Sequence, residues 1–146
     1  MLIKDVMTAS PTCCKPADTL DSVAKLMRDH DCGEIPVCDG TRLAGVITDR
    51  DIVCRAVALG KTPATVPVSD VMTSDVYTIG QNAELEDALE LMETKLVRRL
   101  PVVDLSGQIV GIVSEADLVA KAPILKVART IRSVSKKTRG HARAAL

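Results

Sequence analysis

Apolar positions fall at helical spacing twice along this chain. Leu20, Val23, Ala24 and Met27 share one helix face, and Leu85, Ala88, Leu89 and Met92 repeat the pattern 65 residues later. Both segments are predicted to be half-buried helices, with Asp18 and Asn82 as N-cap candidates. A short extended segment precedes each, Thr12 to Cys14 and Val76 to Ile79. After each helix come two β-branched runs around a Gly-containing polar turn. The first pair is Ile35 to Cys38 and Leu43 to Ile47 around Asp39-Gly40, and the second is Leu100 to Val103 and Ile109 to Val113 around Ser106-Gly107. Such pairs predict hairpins. Each hairpin runs into Thr48-x-x-Asp51 or Ser114-x-x-Asp117, and helical spacing resumes through Ile52, Val53, Ala56 and Val57, or through Leu118 and Val119. The predicted order is strand, helix, strand, strand, helix, twice over.

The residues themselves repeat. Asp5-Val6-Met7-Thr8 returns as Asp70-Val71-Met72-Thr73, and Ile35-Pro36-Val37 returns as Leu100-Pro101-Val102. Gly45-Val46-Ile47-Thr48-Asp49-Arg50-Asp51 returns as Gly111-Ile112-Val113-Ser114-Glu115-Ala116-Asp117. The offset is 65 as far as Pro101 and 66 from Gly111, so one residue is inserted in the turn near Leu105. Self-similarity at a fixed period marks a duplication. Residues 1–60 form the first repeat and 61–67, rich in proline and without periodicity, the linker; residues 68–121 form the second repeat and 122–146 a basic helix and tail. One repeat leaves a sheet face uncovered, which the other can cover about a pseudo-twofold axis. The expectation is an α/β (α+β) fold of two βαββα units, with two equivalent clefts between their sheets and a C-terminal amphipathic helix.

Charge changes this picture at the tail. The net charge is zero, but residues 1–120 hold 11 Lys and Arg against 19 Asp and Glu, and residues 121–146 hold 8 against none. An acidic body argues against nucleic acid as a partner of the repeats, because neutralising phosphates supplies most of that affinity. With Tyr77 the one aromatic residue, stacking on many bases is ruled out. In the tail Ile124, Val127, Ala128, Ile131 and Val134 share a helix face bordered by Lys126, Arg129 and Arg132. That face is expected to pack on the body or a second subunit, with disorder beyond Ser135. The alternative is that Lys136-Lys137-Thr138-Arg139 contacts an anionic partner.

Five cysteines (Cys13, Cys14, Cys32, Cys38, Cys54), odd in number and without CxxC spacing, read as reduced, buried thiols. A thiol-based sensor would need one of them with a depressed pKa. Two histidines argue against a His-based zinc site. No apolar run is long enough for a membrane span and the N-terminus has no apolar leader core, so a cytoplasmic protein without a membrane partner is expected.

Thr48-x-x-Asp51 and Ser114-x-x-Asp117 carry the candidate chemistry. Each resembles a capping box, in which hydroxyl and carboxylate satisfy backbone N–H groups at a helix start. Each is also suited to a ligand: the hydroxyl and free N–H groups to phosphate, and the carboxylate to a vicinal diol such as ribose. Phosphate and ribose held side by side mean a nucleotide.

The doubled Asp-Val-Met-Thr, the doubled apolar-Pro-Val strand and the doubled Gly-h-h-Thr/Ser-x-x-Asp (h apolar) resemble a pair of cystathionine-β-synthase (CBS) domains, the Bateman module, over nearly all of residues 1–120. The resemblance implies clefts that bind adenosine derivatives: AMP, ADP or ATP, with S-adenosylmethionine or NADH as further ligands, and no metal. It implies that Asp51 and Asp117 take ribose and that Thr48 and Ser114 approach ribose or phosphate. Ile35 and Leu100, with the adjoining Pro36 and Pro101, would line the adenine slot, and backbone around Cys13 and Thr78 would read the adenine edge. Where phosphate would lie, Arg98-Arg99 stands in place of Gly33-Glu34, so the two clefts are not equivalent. No nucleophile-and-base constellation, nucleophile elbow or P-loop is present. The expectation is a non-catalytic regulatory module, a homodimer that signals to some protein partner. The alternative is an interaction module with vestigial clefts that acts through its basic tail.

Overall fold

The computed structural model describes residues 1–144, and the side chains of all of these except Lys126 and residues 137–144. The elements in chain order are α1 (Ile3–Val6), β1 (Thr8–Ala9), α2 (Leu20–Asp29), β2 (Glu34–Asp39), β3 (Arg42–Thr48), α3 (Asp49–Arg55), β4 (Ile79–Gly80), α4 (Leu85–Lys95), β5 (Arg99–Val103), β6 (Ile109–Ser114), α5 (Glu115–Lys121) and α6 (Ile124–Ala144). The order strand, helix, strand, strand, helix is present twice along the chain, but the strand expected over Thr12 to Cys14 is reduced to a single bridge at Cys14, and the strand before α2 is β1. The chain divides into two compact units. The α2 unit comprises Pro11–Val76 and Gly107–Ile109, and the α4 unit comprises Met1–Ser10, Tyr77–Ser106 and the chain from Val110 onward.

The α4 unit holds a four-stranded sheet in the order β1-β6-β5-β4. β4 is parallel to β5, with Ile79 opposite Val102, and β1 is antiparallel to β6, with Thr8 opposite Ile112 and Ala9 opposite Gly111. Its core gathers Ile3, Val6, Leu85, Ala88, Met92, Leu100, Val102, Val113, Leu118 and Val127. The α2 unit is built to the same plan with shorter outer members. Its antiparallel β2–β3 pair, Glu34 opposite Thr48, is flanked by single bridges from Cys14 to Val37 and from Thr73 to Val46. Leu20, Val23, Ile35, Val37, Ile47, Val68 and Val71 fill its core.

Sequence repeats and compact units are therefore offset by one segment. Asp5 to Thr8 opens the first repeat, yet it lies with the body of the second; Asp70 to Thr73 lies with the body of the first. An unpaired strand edge recruits a partner. β6 finds Thr8-Ala9, and β3 finds Thr73, whose N–H and C=O both bond Val46 at 2.9 Å. A basic side chain one turn beyond each candidate aspartate secures the incoming segment. Arg55 donates to the Val71 carbonyl at 3.0 Å, and Lys121 donates to the Val6 carbonyl at 3.1 Å. Two motifs that looked independent in the sequence, Asp-Val-Met-Thr and the glycine of Gly-h-h-Thr/Ser, are thus partners in space.

Three expectations are corrected. Thr19 and Glu84, not Asp18 and Asn82, occupy the N-cap positions of α2 and α4. Asp18 instead closes a turn by accepting from the Lys15 N–H at 2.8 Å, a common use of Asp before a helix, and Asn82 accepts from Lys4 at 3.2 Å. The chain beyond Ser135 is helical, since α6 runs to Ala144. Its first half is nucleated by packing on α4 through Val127 and Val134, with Glu93 accepting from Ser133 at 3.1 Å and lying 3.6 Å from Arg129. Ile124, placed by spacing on the packed face, is 75 % exposed.

Candidate functional site

In each unit the candidate residues lie on neighbouring strands and the helix that follows them. In the α2 unit the Cys14 N–H bonds the Pro36 carbonyl at 3.0 Å, which sets Cys13-Cys14 beside Ile35-Pro36; β2 in turn pairs with β3, which ends in Thr48. In the α4 unit β4, just after Thr78, lies beside Val102-Val103, which follow Leu100-Pro101 directly on β5, and β5 lies beside β6, which ends in Ser114.

Both helix starts are complete capping boxes. The Asp51 N–H donates to Thr48 Oγ1 at 3.0 Å and the Thr48 N–H donates to Asp51 Oδ2 at 3.1 Å. The Asp117 N–H donates to Ser114 Oγ at 3.2 Å, and Ser114 returns its N–H at 2.8 Å and its hydroxyl at 2.7 Å to Asp117 Oδ2. The capping reading is realised, and it leaves room for the other. A carboxylate has about four acceptor sites, and capping uses the Oδ2 side alone. The remaining oxygens differ. Asp51 is buried and its Oδ1 faces the Arg55 guanidinium at 3.6 Å, whereas Asp117 is half-buried and has no ion pair among the described residues, because Lys121 reaches Val6 instead.

The other candidates divide into core and surface. Ile35, Pro36, Leu100 and Pro101 are buried in the cores of their own units, so their side chains shape the strands beneath the helix starts. Thr78, Arg98 and Arg99 are exposed and Cys13 is half-buried. All five thiols are free; Cys54 is exposed on α3, which corrects the expectation that all are buried. Burial pushes the pKa of Cys14 and of Cys38 up to about 12, opposite to what a thiolate sensor needs.

Sequence reasoning missed Glu115. It follows Ser114 directly, and its N–H bonds the Arg98 carbonyl at 3.0 Å, as the Asp49 N–H bonds that of Gly33 at 3.0 Å. Its Oε1 is buried without a hydrogen-bond partner. Burial raises its pKa above the ordinary 4.5, against the pull of Arg98 and Arg99. The signal in the sequence was an acid at the same place in both repeats, Asp49 and Glu115. Between 4.5 and the raised value the folded chain holds a proton that the unfolded chain has lost, so stability falls as pH rises through that window. Glu115→Gln is accordingly expected to melt above wild type at pH 7, with the difference shrinking as pH is lowered toward 4.5. Equal melting temperatures at pH 7 would contradict this.

Comparison with known proteins adds the family. The family model described as "CBS domain" matches residues 3–57 and 68–133. Hypoxic response protein 1 of Mycobacterium tuberculosis is 36% identical over 132 residues, covering 90% of this chain and 92% of that protein. Its crystal structure, with two coordinated zinc ions, superposes with a TM-score of 0.77 at 39% identity, covering 84% of this chain and 100% of that one. CBSX2 in complex with AMP gives a TM-score of 0.71 at 27% identity (82% and 93% covered). The CBS domain pair of MJ0100, in complex with 5-methylthioadenosine and S-adenosyl-L-methionine, gives 0.73 at 26% (82% and 94%). Among the described residues no three His, Cys, Asp or Glu side chains gather as metal ligands. No described helix is long and apolar enough to cross a membrane.

Proposed function

The chain belongs to the CBS-domain family, and from that premise we propose that it is a non-catalytic sensor binding adenosine derivatives, AMP, ADP or ATP foremost, at its two Thr/Ser-x-x-Asp helix starts. The Ser114–Asp117 pair carries this reading: it is fixed by its own capping bonds and keeps one carboxylate oxygen without an ion pair to receive a ribose diol. Relatives of the same fold hold AMP, 5-methylthioadenosine and S-adenosyl-L-methionine, which supports the ligand class. A ligand that binds only the folded chain raises its melting temperature, by about 2.7 kcal/mol of stability at a hundredfold excess over Kd. Melting with AMP, ADP, ATP, NADH and S-adenosylmethionine is therefore the test. At least one of them at millimolar concentration should raise the transition; no shift with any would overturn the reading.

A homodimer is part of the same proposal. Val53, Val57 and Leu59, on α3 and the turn after it, are 54–67 % exposed, and Val119 on α5 is 48 % exposed. Apolar surface of this kind on consecutive turns favours a twofold partner. The apolar residues of α4 do not contribute: Leu85, Ala88, Leu89 and Met92 are all buried within the α4 unit. Light scattering at micromolar concentration should give twice the 15.6 kDa chain mass, and a monomer would remove the dimer from the proposal.

A further inference from the structure

We propose that the groove between α4 and α6 is a docking site for a second copy of this chain: it receives the basic end of the other copy's α6, and its own α6 enters the other groove in return. The inference rests on the dimer reading above and adds a contact to the α3 and α5 surfaces named there.

A groove of about 590 Å³ lies where α6 packs on α4, within the α4 unit. Leu89 and Leu125 give it apolar surface, and Glu86, Glu90 and Glu93 give it negative charge. Among the described residues Arg129 is the one cation lining it, and Arg129 lies 3.6 Å from Glu93, so acids prevail. At the same end of α6, Ile124 is 75 % exposed and Leu125 87 %. Adjacent apolar side chains exposed beside an acid-lined groove mark an interaction surface.

Charge and length name the occupant. Residues 121–146 hold 8 Lys and Arg and no acid, and Lys136, Lys137, Arg139 and Arg143 all follow Ser135. At about 1.5 Å per residue, the 11 residues of α4 span about 16 Å and the 21 of α6 about 31 Å, so roughly half of α6 runs beyond α4. The groove belongs to the other half, since Leu125, Arg129 and Thr130 line it. A continuous helix carries Arg139 about 21 Å along its axis from Leu125, and the basic end cannot fold back on its own groove. A second α6 running antiparallel about a twofold axis brings each basic end to the acidic start of the other. One axis satisfies both contacts, as a closed, self-complementary dimer requires. The charges set register and orientation, while Leu125 and Ile124 supply apolar surface to bury.

Sedimentation equilibrium of the full chain over a dilution series tests this. Raising salt from about 0.05 M to about 0.5 M should raise the dimer dissociation constant about tenfold, because these charges are then screened. E86K/E90K and K136E/K137E/R139E, each alone, should dissociate about tenfold more readily than wild type. Mixed in equal amounts they should associate as wild type does, since each basic end then meets an acidic groove and each acidic end a basic one. D39K/D75K moves net charge as far as E86K/E90K but on exposed residues of the α2 unit. It should associate like wild type alone and should not restore K136E/K137E/R139E. A melting curve on each variant confirms that it is folded, and the tail variant alone decides should E86K/E90K not fold. K136E/K137E/R139E associating like wild type, or D39K/D75K restoring it as well as E86K/E90K does, would overturn the docking and leave the dimer on α3 and α5 standing. Wild type that stays monomeric throughout would overturn both.

Discussion

Asp117→Ala is expected to weaken adenine-nucleotide binding at least tenfold while the chain stays folded. Hydrogen bonds to a charged group contribute about 1.5–3 kcal/mol each, and about 1.4 kcal/mol is a factor of ten in affinity. Losing even one carboxylate-to-ribose bond therefore meets the tenfold mark, and losing two exceeds it. The cost to the fold is smaller. Asp117 accepts the Ser114 N–H, and removing a cap of this kind costs about 1 kcal/mol. α5 remains anchored by fully buried Leu118 and by Lys121 on the Val6 carbonyl. Asp117→Asn, which keeps volume and one acceptor, separates charge from packing and should bind with intermediate affinity. Calorimetric titration of both variants, with a melting curve for each, decides the matter. Wild-type affinity in Asp117→Ala would leave Asp117 a helix cap and nothing more.

The sequence showed the repeat, its element order and both Thr/Ser-x-x-Asp helix starts, because each rests on a local pattern. Leu20, Val23 and Met27 are buried where helical periodicity puts them, and Thr48 and Ser114 cap where a hydroxyl three residues before an acid should cap. What it did not show depends on contacts distant along the chain. Nothing near Thr8 or Thr73 indicates which strand edge they complete, since that is decided by β6 and β3, far from each in sequence. The roles of Arg55 and Lys121 follow from that exchange and were hidden with it. Glu115 looked like an ordinary first-turn acid; only its burial beside Arg98 sets it apart from exposed Asp49. The sequence showed the packed face of Val127 and Val134 but not that the helix it anchors runs on past Ser135, where disorder was expected, because a helix already nucleated extends without a new packing face.

That exchange of segments makes Gly45 the position where one methyl group should do most damage. A Cβ there would lie 2.5 Å from the Thr73 carbonyl oxygen, which is backbone and already bonded to the Val46 N–H at 2.9 Å. The strand cannot yield without opening the reciprocal pair of bonds between Val46 and Thr73. Overpacking costs about 1–3 kcal/mol, and two backbone bonds lost add about 0.5–1.5 kcal/mol each, so Gly45→Ala should lose roughly 2–6 kcal/mol. At about 2–4 °C per kcal/mol for a chain of this size, the melting temperature falls markedly. Gly111→Ala should cost less, because its nearest contact is the Met7 sulfur, on a flexible side chain that can move, with the Thr8 carbonyl at 3.1 Å. Gly80→Ala, with nothing within 4 Å of the added methyl, should be neutral or slightly stabilising, since Ala loses less backbone entropy on folding. Urea denaturation of the three variants at constant m-value should therefore rank them Gly45→Ala, Gly111→Ala, Gly80→Ala from least to most stable. If Gly45→Ala unfolds at the wild-type midpoint, the Val71 to Thr73 segment does not pack on β3 as described, and the roles assigned to Arg55 and to both repeated glycines fall with it.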